Sequence, residues 1–503
     1  MPLLQIVLMF VVVLAFYPST TAPTIDPRLS TWLTAIGLLL IGGLAETAAT
    51  TLTRRVWREP NHRYAIIRRY SRVRRLHLAA CVIYYLSCLF EFEWAAVIRT
   101  HWGLSRTILL EEIAIIAPFL LCIICSWFSF YRVERALHNS SPALALQPFW
   151  RRWPFVLFHI RQEFGLILVP IFVFTGLFQA LSLLAPAVMA HPQGQPLLTL
   201  GVGLVLLVIL PWLLIRIWPT RSLPTGSLRQ QLDQTAQRLN LGYTDIRLMD
   251  TNGTFANAMV AGFLPVPRYV LLSDLLVAHL TPEEIEAVFG HEMGHVKHKH
   301  LLFYLLFMML SLAALTLFAE WVLALVPPLP AEGDVVRLAM SGALPWKTLL
   351  AHLGIFAVGG LYIWQVFGLV SRACERQADI FGCKAVAPGL PYFGAVPVYM
   401  NGQAVTVPAT PPASPGLEPH GIRVFISALA KVAHLNGIDP ERPSWRHGSI
   451  GQRVRYLDYL IQNPAEESRF QRRWFVGKVL LVAALAGVIF ILWRATGITP
   501  IIG

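Results

Sequence analysis

Two imidazoles four residues apart, with a carboxylate beside the first, are the residues of this chain whose spacing most plainly does chemistry. They lie in Thr281-Pro-Glu-Glu-Ile-Glu-Ala-Val-Phe-Gly-His-Glu-Met-Gly-His295. Thr281 has the chemistry of an N-cap, Pro282 of a first helical residue and Glu284 of a capping-box partner, so a helix is expected to start here. On that helix His291 and His295 project from one face, one turn apart. This is the spacing for two nitrogen ligands on a single zinc ion. Glu292, next to the first ligand, takes the part of the general base that activates water in an H-E-x-x-H pattern.

A catalytic zinc needs a third protein ligand and one open position. Ser371-Arg-Ala-Cys-Glu-Arg-Gln-Ala-Asp379 supplies the candidate. His295 lies six residues before a hydrophobic stretch that begins at Leu301, and Glu375 five residues after one that ends at Val370. If the two stretches form a transmembrane hairpin, both side chains stand at about the same height above the membrane, roughly 8–9 Å. Glu375 is therefore assigned to the metal. Asp379, one turn on, is assigned to fixing the tautomer of a ligand imidazole, with Arg372 placed beside them. Taken alone, Arg372, Glu375, Arg376 and Asp379 read as a solvated ion-pair face; the partnership with the paired histidines reverses that reading. Cys374 points about 100° away around the helix and is left to packing. His298 and His300, interleaved with Lys297 and Lys299, are read as a solvated basic collar at the membrane surface.

The elements that must hold these residues are mostly hydrophobic. Of 503 residues, 55% are hydrophobic and 14% charged, against about 25% charged in an ordinary soluble domain. A simple water-soluble enzyme and a disordered chain are both excluded by that balance. Nine apolar stretches are long enough to be considered as spans: 3–16, 32–52, 78–98, 108–130, 164–190, 197–217, 301–326, 349–370 and 476–493. The first lacks the basic residues of a signal peptide and is expected to be a retained helix. The net charge of +13 would point to nucleic acid in a soluble protein, but its placement says otherwise. Nine arginines, from Arg54 to Arg75, fall between the second and third stretches, and Arg132, Arg135, Arg151 and Arg152 between the fourth and fifth. The alternate loops hold few. One orientation satisfies all of them, with the amino terminus and residues 219–300 and 371–478 in the cytoplasm. The excess charge is thus topological, and no nucleic-acid partner is expected. Glu46, Glu91, Glu93, Glu111, Glu112, Glu163 and Glu320 fall within or beside the stretches. They sit either at interfaces or around a polar chamber. The six cysteines show no secreted disulfide framework, and Cys122 and Cys125, inside an apolar run, are read as packing rather than as a redox or zinc pair.

With these motifs in hand, the chain resembles the integral-membrane zinc endopeptidases that include type I CAAX prenyl proteases and the bacterial HtpX-like quality-control proteases. The likeness runs through Asn257-Ala-Met-Val-Ala-Gly262, Tyr269–Asp274, His291–His295, Ser371–Asp379, Phe425–Leu429, Ser444–Ile450 and Arg453. It covers about half the chain; the first two hundred residues match only in being multi-spanning. The resemblance implies a mainly α fold: a polytopic membrane bundle with a split cytoplasmic gluzincin-like catalytic domain of helices and a small β-sheet. It further implies that residues 256–262 form an edge strand beside the cleft, with Asn257 and Ala258 contacting an extended substrate. It makes His447 a donor to the oxyanion, alongside Glu292 in catalysis, although a loop histidine read alone is only a surface residue. Arg453 would steady the late helix.

The expected organisation is a membrane region over 1–217, catalytic segments over 218–300 and 371–475, a hairpin over 301–370 and a last span over 476–503. Residues 384–420 carry eight prolines, a density no helix survives, and depart from the family pattern as a loop or lid. The expected protein is a zinc metalloendopeptidase with one Zn2+ per chain. It would lie in the lipid bilayer, in a bacterial cell membrane, and act on membrane-associated, misfolded or lipidated protein substrates at the cytoplasmic face. The competing reading is a non-catalytic scaffold or transporter with a vestigial metal site; no internal repeat of the kind transporters carry is present.

Overall fold

The structure is a computed structural model; it describes residues 2–15, 23–59, 62–140, 149–191, 193–326, 346–386, 398–400, 403–405 and 417–496. The chain divides into two compact units, Met1–Thr220 and Arg221–Gly503. Eight helices among the described residues are long and apolar enough to cross a membrane: Pro27–Arg58, Ala65–Phe90, Leu110–Asn139, Arg152–Leu184, Gly194–Ile217, His300–Leu323, Trp346–Ala385 and Ala465–Arg494. The chain is thus a mainly helical, polytopic membrane protein. The first expected span is a helix over Pro2–Ala15; residues 16–22, into which that stretch runs, lie outside the described residues.

In the first unit the helices close around a core that includes Tyr85, Phe119, Ile115 and Trp127. Acidic residues expected near membrane depth have local partners. Glu46 meets Arg132 at 2.6 Å, Glu111 meets Arg99 at 2.6 Å, and Glu112 accepts from Gln179 Nε2 at 2.6 Å. Pairing of this kind offsets the cost of carrying a charge at depth.

The second unit holds the two sequence motifs. Its sheet comprises β1 (Thr220–Ser222), β2 (Asp245–Met249), β3 (Ala258–Ala261) and β4 (Tyr269–Ser273), in the order β1-β2-β4-β3. β2 runs parallel to β4 and β3 antiparallel to it, which leaves β3 at an edge. Ile246, Val270 and Leu272 pack against Ile285, Phe289 and Met293 of the motif helix, Pro282–Lys297. Gly262 ends β3 with φ +111°, where a Cβ would lie 2.3 Å from the Pro267 carbonyl oxygen, so only glycine fits.

The motif helix begins as its sequence dictates. Thr281 Oγ1 accepts from the Glu284 N–H, and Glu284 Oε2 accepts from the Thr281 N–H at 2.8 Å. The same carboxylate accepts from Ser427 Oγ at 2.6 Å and from Lys431 Nζ at 2.8 Å, both on the helix Pro419–Leu435. One cap therefore also clamps two helices. Burial works to raise the Glu284 carboxyl, but the bonds from Lys431 and Ser427 outweigh it and hold it below its ordinary value.

Against the other side of the motif helix lies Gly368–Ala385, which continues through a π turn, Ile363–Phe367, from the helix Trp346–Tyr362. The approach is close because side chains are absent where the helices cross. A Cβ on Gly290 would lie 2.1 Å from Ala385 Cβ, one on Gly294 3.0 Å from Ala378 Cα, and one on Gly382 2.8 Å from the Ala287 carbonyl oxygen. Of the proline-rich insertion, the described part beyond Val386 and before Leu417 is a hairpin, Val398–Met400 with Gln403–Val405. The remainder of the expected loop lies outside the described residues.

Three outcomes are expected from this packing and its cap. Gly290→Ala should cost about 1–3 kcal/mol in a denaturant titration. Gly487→Ala, where nothing lies within 4 Å of a new Cβ, should leave the midpoint near that of the parent. Glu284→Gln should destabilise the chain most above about pH 4.5, the ordinary glutamate value. Because the native carboxyl is depressed, the gap between variant and parent should close as pH falls through its native value.

Candidate active site

Helix packing brings three ligand-type side chains together. Ligand atoms of His291, His295 and Glu375 all lie within 4.8 Å of one another. The two Nε2 atoms are 3.3 Å apart, and the Glu375 oxygens lie 3.7 Å from His291 Nε2 and 3.8 Å from His295 Nε2. Two nitrogens at about 2.0–2.1 Å from a tetrahedral zinc stand about 3.3 Å apart. Donor chemistry and spacing therefore both fit zinc, and these three residues are the ones that would hold it. His291 and Glu375 are buried and His295 nearly so. Glu375 reaches the pair because its helix returns, through the hairpin, to the end of the segment from which His300–Leu323 departs.

Polar contacts behind the rings favour one bare nitrogen on each. Asp379 Oδ1 lies 2.9 Å from His291 Nδ1, a close ion-pair contact that favours a proton on that nitrogen and leaves Nε2 turned toward His295 and Glu375. Arg453 grips Asp379 with two of its nitrogens, Nε to Oδ2 at 2.9 Å and Nη2 to Oδ1 at 2.5 Å. Burial works against charge on His291, but the contact with Asp379 outweighs it and raises the ring's pKa. Phe425 stacks on the same ring, with centroids 5.7 Å apart and planes at 19°. His295, by contrast, is lowered to about 4 by burial and by His291 beside it, so its ring is neutral at pH 7.

Behind His295 the structure corrects the sequence reading. His300 is fully buried, not part of a solvated collar. Its Nδ1 lies 2.9 Å from His295 Nδ1 and its Nε2 3.0 Å from Gln377 Oε1. Gln377 in turn donates through Nε2 to Gln471 Oε1. An amide oxygen only accepts, so His300 must donate through Nε2 and accept through Nδ1. His295 therefore carries its proton on Nδ1, and its Nε2 lone pair faces His291 and Glu375. No helical periodicity announces this role. Lys299, with φ +53°, breaks the helix between His295 and His300, and the flanking lysines imitate a surface.

Glu292 lines the cleft with its Oε2 accepting from the Val260 N–H at 3.1 Å. Burial pushes its carboxyl up to about 7, with Glu375 adding to the shift against the pull of His291. Asn257 and Ala258 line the same cleft. The Asn257 carbonyl accepts from the Ser273 N–H, so by strand alternation residues 257, 259 and 261 face β4, while the backbones of Ala258 and Val260 face outward. Asn436 ties down the strand's approach, accepting from the Ala256 N–H and donating to the Ala256 carbonyl. His447 Nδ1 lies 3.0 Å from Glu375 Oε1, so the ring orients a ligand carboxylate while its half-exposed body borders the cleft. Arg372 is not brought to the ligands. It donates to the Trp445 carbonyl at 2.8 Å and so braces the loop that carries His447. Cys374 is buried and packs, as its direction requires. The cleft that joins these groups has a volume of ≈1110 Å³.

Comparison with known proteins finds similarity to membrane proteases. Residues 222–392 match the model of peptidase family M48. The chain is 30% identical over 187 residues to the probable CAAX prenyl protease 1 of Schizosaccharomyces pombe, covering 36% of this chain and 37% of that protein. It is 30% identical over 189 residues to the CAAX prenyl protease 1 homolog of Arabidopsis thaliana, with 36% and 42% covered. It is also 30% identical over 96 residues to the protease HtpX homolog of Methanocaldococcus jannaschii, with 19% and 33% covered. The chain thus spans less than half the length of these relatives. The crystal structure of S. mikatae Ste24p superposes with a TM-score of 0.49 at 13% identity, covering 87% of this chain and all of that one. The chain resembles the CAAX prenyl protease and HtpX-like family, and the matched segment includes both motifs while stopping short of His447 and Arg453.

If His300 sets the tautomer of His295, His300→Phe should weaken zinc binding about 10–100-fold in a chelator competition. An affinity equal to that of the parent would remove the role.

Proposed function

We propose that this chain is a membrane-embedded zinc-dependent metalloendopeptidase, acting on membrane-associated, misfolded or lipidated protein substrates at the cytoplasmic face. The observation that carries the reading is the convergence of His291, His295 and Glu375 with Glu292 beside them, at the foot of an exposed strand edge. A zinc ion held by those three residues supplies Lewis-acid polarisation of the scissile carbonyl when bound.

The remaining chemistry belongs to the chain. The outward N–H and carbonyl of Ala258 and the outward carbonyl of Val260 hold a peptide extended, as an added strand. Glu292 takes the proton from the attacking water and delivers it to the leaving amine. Burial and the neighbouring Glu375 raise that carboxyl in the metal-free cleft, which favours its taking up a proton. The Val260 N–H holds one oxygen of Glu292 in place, so the base is aimed by the same strand that receives the substrate. Asp379 and Arg453 keep His291 in register, and His447 orients Glu375. Cytoplasmic placement rests on the basic loops and on both catalytic segments lying on one side of the hairpin.

Glu292→Gln tests this reading directly. Zinc content should stay near one per chain while proteolysis falls at least 10²-fold. Chelation of the parent should abolish cleavage, and zinc should restore it. Unchanged cleavage by the variant would remove Glu292 from the chemistry, and a zinc-loaded parent without chelator-sensitive cleavage would favour the scaffold reading. A denatured membrane protein set beside a farnesylated peptide distinguishes the two substrate classes.

A further inference from the structure

The charges around the cleft are one-sided. Setting aside the metal-binding and catalytic groups with Arg453, the charged residues that line it are Arg268, Lys297, Lys299, Arg442 and Arg446. All five are cations, and no carboxylate lies among them.

Their settings differ. Arg268 is buried and spends its donors on three backbone carbonyls, at Gly262, Gly242 and Phe263. No carboxylate among the described residues pairs with it, so its charge is solvated by dipoles but not cancelled. Lys297, Lys299, Arg442 and Arg446 are exposed, and none has an ion-pair partner among the described residues. The acidic residues of the adjoining loop do not neutralise them. Glu441 is engaged by Arg455 at 2.7 Å, and Asp439 accepts from the Glu441 N–H; neither lines the cleft. Arg446 immediately precedes His447, and Arg442 belongs to the same loop, which follows the Asn436 tie to the strand. A peptide laid along the strand edge therefore passes near both arginines.

We infer that the cleft selects peptide segments bearing carboxylates, with Arg442 and Arg446 as the specificity-determining pair. A concave site lined by one sign of charge concentrates the opposite sign. Guanidinium groups suit carboxylates in particular, because they present paired donors in a plane. Burial of Arg268 extends the positive potential inward, where no solvent ion reaches it. The ligand chemistry is the carboxylate, whether from Asp and Glu side chains or from a free C-terminus. This inference rests on the peptide-cleaving reading of the same site, and its test is separable because binding is read without turnover.

The experiment uses the full chain carrying Glu292→Gln, loaded with zinc. Fluorescent peptides of one neutral core are flanked by Asp-Glu, by Gln-Asn or by Lys-Lys, each with a free or an amidated C-terminus. Anisotropy should show the acidic peptide binding about tenfold tighter than the neutral one at low salt, and the Lys-Lys peptide weakest. A preference tracking the flanks assigns the side chains; one tracking the free terminus assigns the terminal carboxylate. Adding Arg442→Ala and Arg446→Ala should bring the ratio close to one, while raising salt should shrink it in the parent. Equal binding of all peptides, or tighter binding of the basic one, overturns the inference. Chelator-sensitive cleavage of the neutral core by the chain with Glu292 intact is the separate readout for the catalytic reading.

Discussion

Everything at the candidate site depends on how near two helix backbones come to each other. Pro282–Lys297 carries His291, Glu292 and His295, and Gly368–Ala385 carries Glu375 and Asp379. Gly290, Gly294 and Gly382 remove the side chains that would otherwise hold the helices apart. The cost is the lower helix propensity of glycine, about 1 kcal/mol at each position. It is offset by packing with Ile285, Phe289 and Ile380 nearby and by the Glu284 clamp. A carboxylate can then approach two imidazoles eighty or more positions away in the chain. Backbone proximity thus comes first, and side-chain chemistry follows from it.

Around the three ligand-type residues, each polar group is held by another. Arg453 holds Asp379 and Asp379 holds His291; Gln471 and Gln377 hold His300, which holds His295; Arg372 braces the loop from which His447 reaches Glu375. Each imidazole is given one protonation pattern, with the bare nitrogen turned toward the shared point. Such supporting contacts tune ligand basicity and orientation as much as the ligands themselves do. The strand edge enters the same network through the Val260 N–H on Glu292.

Legibility in the sequence followed the range of each interaction. The cap at Thr281, the paired histidines and Glu292 are written within one helix, where residue spacing fixes geometry. Glu375 was reachable because a hairpin across a membrane converts two sequence distances into one height. Edge placement of Ala258 came from the family likeness, and the register then showed why its backbone is free. His300 was misread because a left-handed residue at Lys299 interrupts the helix, so neither period nor neighbours revealed that its ring turns inward. Arg372 was placed beside the ligands by sequence adjacency, yet its long side chain reaches a different loop. Long side chains and local breaks are where one-dimensional spacing loses its hold on three-dimensional position.

The most direct measurement is X-ray absorption at the zinc edge on the purified chain, beside the same measurement on Glu375→Ala. One zinc per chain is expected, with two imidazole nitrogens and one carboxylate oxygen at about 2.0–2.2 Å, and loss of the oxygen contribution in the variant. A chain without zinc, or a zinc whose ligand shell is unchanged when Glu375 is removed, would contradict that expectation.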